Sequence, residues 1–319
     1  MRKEEFTVPS SDGKSSLHAL RWVPDGEVRM ILQISHGMVE YVDRYDWFAS
    51  KCAAQGILVV GHDHLGHGKT AALKEDLGYF ADENGAALVL KDLHRTFIHM
   101  KGQYPNVPYV LMGHSMGSFF ARRYLTLYGK ELDGAIIMGT GSQPLAAVVF
   151  GRWLSGIMMK VKGARYRSRL LFNLTLGSNN KRIKPLVTAN DWLTRDPQIV
   201  AKYNADPFCT FIFTVSAYHD FFTLLTDVMK KKDLDKIPAE LPVLFISGAE
   251  DPVGGYAKGV EAACRQYKEA GIKDVEFKLY EGARHEILNE TNREEVCDDI
   301  LCWLDKIPSK CNSSDGSSS

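Results

Sequence analysis

The chain is expected to be an α/β protein with a mostly parallel sheet of about eight strands, helices on both faces and a helical cap insertion. Two observations predict the sheet. From about residue 30 to 140, short apolar runs alternate with longer runs of helical period, and the alternation resumes near 242. The short runs are apolar from end to end, as strands covered on both faces require. A third observation predicts the insertion. Between 142 and about 220 the alternation stops, and several short amphipathic runs take its place.

In order, 5–9 and 16–23 form a first hairpin joined through Ser11-Asp-Gly-Lys14. Residues 30–35 form a core strand ending in His36-Gly-Met38. Residues 44–55 form a helix with Tyr45, Phe48, Ala49 and Cys52 on one face. The next strand, 57–61, runs into His62-Asp-His-Leu-Gly-His-Gly68, and 85–101 is helical. Strand 109–112, a turn at Ser115 and helix 116–128 follow, then strand 134–139. After the insertion come strand 242–247, helix 256–270, strand 275–280 and helix 293–304. The expected organisation is a core of 1–141 and 220–307, a cap of 142–219 and a disordered polar tail of 308–319.

Composition narrows the function. The 319 residues are 45 % hydrophobic and 24 % charged, with 39 Lys+Arg against 39 Asp+Glu, so no overall basic bias points to nucleic acid. The N-terminal stretch lacks an apolar signal core, and no segment has the length of a membrane span. Cys52, Cys209, Cys264, Cys297, Cys302 and Cys311 are scattered without a CxxC pair and read as reduced thiols. A cytoplasmic location is expected.

The chemistry is suggested by strand ends, where reactive groups gather in such sheets. Ser115 lies in Gly113-His-Ser-Met-Gly117 between a strand and a helix, a turn that strains its central residue and admits only glycine two positions either side. The strand ending at Ser247 runs into Gly248-Ala-Glu-Asp-Pro252, which offers Asp251, with Glu250 as a rival carboxylate. The strand ending at Tyr280 runs into Glu281-Gly-Ala-Arg-His-Glu286, which offers His285. Nucleophile, base and orienting carboxylate are the parts a serine hydrolase needs. Met116 N–H, at the helix N-terminus, and Met38 N–H, after the His36-Gly37 turn, are the candidate oxyanion donors. His62, His64 and His67, with Asp63, suggest a metal site but read better as a glycine turn after a strand. No metal or cofactor is expected. His114 is expected to be a packing or hydrogen-bonding neighbour.

Together these residues resemble the α/β-hydrolase superfamily, and within it the monoacylglycerol lipase and lysophospholipase branch, grouped with serine aminopeptidase-like hydrolases. The matching stretches are 36–45, 63–68, 113–118, 248–252 and 282–286. One departure is Tyr41, where the family often has histidine. The resemblance implies an α/β-hydrolase fold, with Ser115 as nucleophile, Asp251 as acid, His285 as base and Met38 and Met116 as oxyanion donors. It implies hydrolysis of carboxylic esters of lipid-like substrates, of monoacylglycerol or lysophospholipid type, through an acyl-enzyme. An amide or peptide hydrolase, a general carboxylesterase and a non-catalytic ligand-binding receptor on the same fold are the alternatives. The expected partner is a small amphiphilic ester. Between Asp133 and Asp191 the chain has no acidic residue and nine basic ones, and 145–159 is apolar. This cap suits an anionic or zwitterionic amphiphile, or peripheral contact with a membrane or micelle surface.

Overall fold

The structure, a computed structural model, describes residues 1–308; the tail beyond 308 lies outside the described residues. The strands are β1 (Arg2–Pro9), β2 (Ser16–Val23), β3 (Met30–Ser35), β4 (Ile57–His62), β5 (Tyr109–His114), β6 (Gly134–Met138), β7 (Val243–Gly248) and β8 (Val275–Tyr280). They form one sheet in the order β1-β2-β4-β3-β5-β6-β7-β8. β2 pairs antiparallel with β1 and β4, and all other pairings are parallel. This is the expected α/β-hydrolase sheet.

The helices are α1 (Asp46–Ala54), α2 (Gly85–Gln103), α3 (Met116–Tyr128), α4 (Leu145–Lys162), α5 (Arg169–Thr175), α6 (Pro197–Ala205), α7 (Val215–Val228), α8 (Lys231–Leu234), α9 (Lys258–Glu269) and α10 (Arg293–Leu304). The apolar strands explain themselves through two cores. Tyr109, Leu111, Ala135, Ile137, Val243 and Phe245 face one core, with α2, α3, α7 and α9. Their chain neighbours Val110, Met112, Ile136, Met138, Leu244 and Ile246 face the other, with α1 and α10. Side chains alternate across a strand, so a strand covered twice shows no polar face.

Two differences from the sequence-based expectation affect the site. The first helix begins at Asp46, because Val42–Tyr45 forms a 3-10 turn in which Val42 N–H bonds Asp63 Oδ1 at 2.9 Å. The second concerns α7, which crosses the expected cap boundary at 219. Val215, Ala217 and Tyr218 already lie in the main core, and Gly85 N–H, at the start of α2, bonds Asp220 of α7 at 3.1 Å. The segment over the carboxyl ends of the strands comprises α4, α5, α6 and their loops, with α4 packed along α7. Among the described residues, no helix is long and apolar enough to cross a membrane.

Candidate active site

Ser115 occupies the turn from β5 into α3 with φ 52° and ψ −120°, a conformation L-residues rarely adopt. The flanking glycines make room for it. A Cβ on Gly113 would lie 2.3 Å from Gly117 O, and one on Gly117 would lie 1.9 Å from Ser35 O. The turn is therefore wedged against the end of β3, and Ser115 N–H is fixed on Met138 O at 3.0 Å.

His285 and Asp251 come from the loops after β8 and β7, and both are buried. His285 Nδ1 bonds Asp251 Oδ2 at 2.9 Å, which leaves Nε2 for chemistry. Asp251 is itself held by Val253 N–H on Oδ1 (2.8 Å) and Ser247 Oγ–H on Oδ2 (3.2 Å). The rival Glu250 is exposed, so it is Asp251 that meets the imidazole. Ser115 and His285 line one cavity.

The loop after β3 carries Met38. Gly37 is needed for close approach: a Cβ there would lie 2.5 Å from Glu40 Oε1 and 3.0 Å from Ser115 Cβ. Its closest neighbours are thus Glu40 and Ser115. Met116 opens α3, and its N–H is one of the free donors at the helix N-terminus.

Beneath the site lies a buried charge network without an obvious sequence motif. Glu40 accepts from Gly37 N–H (2.5 Å), Tyr45 Oη–H (3.0 Å), His114 Nδ1–H (2.8 Å) and Arg44 (3.2 Å). Arg44 also donates twice to Glu286, at 2.7 Å each. Burial would raise the Glu40 carboxyl, but His114 and Arg44 outweigh it and hold it far below the usual range. Glu286 is lowered the same way: burial opposes, and Arg44 prevails. His114 is raised: burial opposes, and the Glu40 charge and hydrogen bond win. His114 is thus a hydrogen-bonding neighbour that ties the Met38 loop to the serine turn.

The histidine run after β4 is internally bonded. His62 meets Thr96 Oγ1 at 2.9 Å and His64 at 3.4 Å; His64 also meets Ser35 Oγ at 3.1 Å. His67 Nδ1–H donates to Leu65 O at 3.0 Å, and its Nε2 accepts Val39 N–H at 3.4 Å. Asp63 accepts from Val42 N–H and Lys69 N–H at 2.9 Å each, and pairs with His18 at 2.8 Å. Burial pushes His62 and His67 down to about 3.

Two cavities meet at Ser115 and Met38. One, of about 290 Å³, lies beneath α4 and α7 and is lined by Phe119, Val148, Phe150, Leu174, Phe222 and Leu225, among others. The other, of about 310 Å³, is lined by Glu40, Asn180, Asn190, Trp192, Tyr203, Thr210 and Glu286, among others. Among the described residues, neither has a lysine or arginine in its lining. Two of the cap's basic residues are engaged elsewhere. Arg165 pairs outward with Asp76 at 2.8 Å, and Arg182 stacks on Tyr256 at 3.7 Å. Tyr41 lines neither cavity; it donates to Asp206 Oδ2 at 2.7 Å.

The family model Serine aminopeptidase, S33, matches residues 26–292. A monoacylglycerol lipase of Mycolicibacterium smegmatis is 26 % identical over 290 residues, covering 89 % of this chain and 90 % of the relative. A monoglyceride lipase of Homo sapiens is 26 % identical over 293 residues, covering 89 % and 84 %. The crystal structure of a thermostable carboxyl esterase from Bacillus coagulans superposes with a TM-score of 0.90 at 31 % identity, covering 96 % of this chain and 99 % of that one. With this match and this sheet, the chain belongs to the Serine aminopeptidase, S33, family of α/β-hydrolases, among its monoacylglycerol lipase-like carboxylic ester hydrolases.

Proposed function

We propose that the protein hydrolyses monoacyl esters of neutral, hydroxylated alcohols, of monoacylglycerol type, through an acyl-enzyme on Ser115. The observation that carries this reading is the pair of cavities at Ser115. Both have largely apolar walls. The one beneath α4 and α7 suits an acyl chain; the other sets the Glu40 and Glu286 carboxylates, the Asn180 and Asn190 amides and the Thr210 hydroxyl among its apolar walls, with no lysine or arginine among the described residues lining it, and suits a small polyol better than a phosphate. His285 Nε2 takes the Ser115 proton as Oγ attacks the ester carbonyl carbon. The carbonyl oxygen becomes an oxyanion on Met38 N–H and Met116 N–H. Protonated His285 gives its proton to the departing alcohol. Water, deprotonated by His285, then attacks the acyl carbon and releases the acid. Asp251 holds the imidazole in the tautomer this requires.

The test compares a monoacylglycerol, a lysophosphatidylcholine and an aminoacyl anilide on the purified protein. The expected order of kcat/KM places the monoacylglycerol at least about tenfold ahead of both. A lead for the anilide would favour the amide hydrolase, and a lead for the lysolipid would overturn the neutral head group. Ser115→Ala should abolish both ester turnover and labelling by a fluorophosphonate. Absence of labelling in the unmodified protein would favour the non-catalytic receptor.

The outer face of α4 supports a further part of the proposal, peripheral contact with a membrane or micelle. Leu145, Val149, Trp153, Ile157 and Val161 recur at four-residue spacing and are exposed, Trp153 by 59 %. Arg152, Lys160 and Lys162 are exposed on the same helix. Apolar side chains flanked by cations fit an anionic interface. Co-sedimentation with vesicles containing phosphatidylserine should fall on Trp153→Ser with Val149→Ser; unchanged binding would sink this part.

A further inference from the structure

We propose that Tyr203, a cap residue, is a positioning residue for the oxyanion hole, acting through Val39 on Met38. The inference rests on the assignment of Ser115 and Met38 made above. Val39 has φ 58°, in the left-handed region that a β-branched residue avoids. Such a conformation persists only where its surroundings hold it. Two bonds do so here. On the core side, Val39 N–H is held by His67 Nε2 at 3.4 Å. On the cap side, Tyr203 Oη–H donates to Val39 O at 2.9 Å.

These bonds decide which amide is left for substrate. Gly37 N–H is occupied by Glu40 Oε1 and Val39 N–H by His67. Met38 N–H, between them, has no partner among the described residues. A relaxation of Val39 shifts the Met38 Cα to which it is joined, and with it the Gly37–Met38 peptide that carries this donor. Tyr203 is well placed to prevent this. It is buried, and the Arg44 guanidinium lies 4.9 Å from its ring centroid. Nearby in the cap, Asp206 accepts the Tyr41 hydroxyl, so this segment grips the same loop twice. Docking of the cap and readiness of the oxyanion hole are thereby one event.

The test is Tyr203→Phe, which keeps the ring and removes only the hydroxyl. With a short p-nitrophenyl ester, kcat should fall about tenfold or more while KM stays within about twofold. A trifluoromethyl ketone forms a reversible adduct in which Ser115 Oγ bonds the carbonyl carbon, its proton passes to His285, and the carbonyl oxygen becomes an oxyanion. Its affinity should fall by the same factor. Val39→Gly added to Tyr203→Phe should return part of the lost kcat, since glycine adopts this conformation without strain. The inference is overturned if Tyr203→Phe keeps wild-type kcat and ketone affinity, if the loss lies in KM alone, or if Val39→Gly returns nothing. Fluorophosphonate labelling of Ser115 in the unmodified protein is the control. If it fails, the active-site assignment falls; if it succeeds and Tyr203→Phe is neutral, only the role of Tyr203 falls.

Discussion

Arg44 grips Glu286 through two parallel hydrogen bonds of 2.7 Å, directly beside His285 in the chain. The same guanidinium reaches Glu40, which holds Gly37 N–H. The loop that carries Met38 and the loop that carries His285 are thus fastened by one buried cation. Removing one partner of a buried pair leaves the other charge uncompensated. Arg44→Ala should therefore cost about 3–5 kcal/mol of unfolding free energy in urea. Arg44→Lys should recover only part, because a point charge cannot make the parallel pair. A loss below about 1 kcal/mol for Arg44→Ala would show that the surroundings relax around the two carboxylates.

Asp251 and Glu250 are adjacent carboxylates with different surroundings, and substitution should separate them. Asp251→Asn keeps the shape but lets His285 sit in the wrong tautomer, so kcat should fall about 10⁴-fold. Glu250→Gln, on an exposed side chain, should stay within about twofold. Steady-state hydrolysis of a p-nitrophenyl ester measures both. Comparable losses in the two variants would contradict the role given to Asp251.

How much of this was readable in the sequence follows from where the chemistry sits. The strands were legible because burial on both faces removes every polar interruption. The placement of Ser115, Asp251 and His285 after strand ends was legible, because the loops that hold them carry glycines that betray tight turns. Arg44 and Glu286 were not: they meet across 242 residues, and singly each looks like a surface charge. Tyr203 was hidden for a similar reason, since its role depends on a backbone conformation at Val39 that no side-chain pattern announces. The basic run of the cap was visible, but its direction was not. Arg165 and Arg182 turn to Asp76 and Tyr256, which lie far from them in the chain.

The cavity beneath α4 and α7 yields a prediction about chain length. Leu174 lines it from the cap while its side chain is partly in solvent, so a larger residue fits there at small cost in stability. Leu174→Trp should lower kcat/KM for a long-chain monoacylglycerol about tenfold and leave a short p-nitrophenyl ester within about twofold. Equal effects on both esters would place the acyl chain elsewhere.

Acid stability follows from the histidines beneath the Met38 loop. Burial lowers His36, His62, His64 and His67 in the folded protein, His62 and His67 to about 3. In the unfolded chain each returns to its ordinary value of 6.5 and binds a proton first. Stability is therefore present above that value and lost as pH falls below it, by about 1.4 kcal/mol per pH unit for His62 and for His67, with His36 and His64 acting in the same direction. Glu40 and Glu286 are also lowered in the fold, and they add a loss below their ordinary value of 4.5. His114, raised in the fold, acts in the opposite sense: its contribution is full below 6.5 and lost as pH rises through its folded value. Urea unfolding between pH 6.5 and 4 should thus show a steep decline. His62→Gln, which cannot take up that proton, should flatten the decline by about one proton, or 1.4 kcal/mol per pH unit. An unchanged slope in His62→Gln would mean that His62 is protonated equally in both states, and that burial does not hold this imidazole neutral.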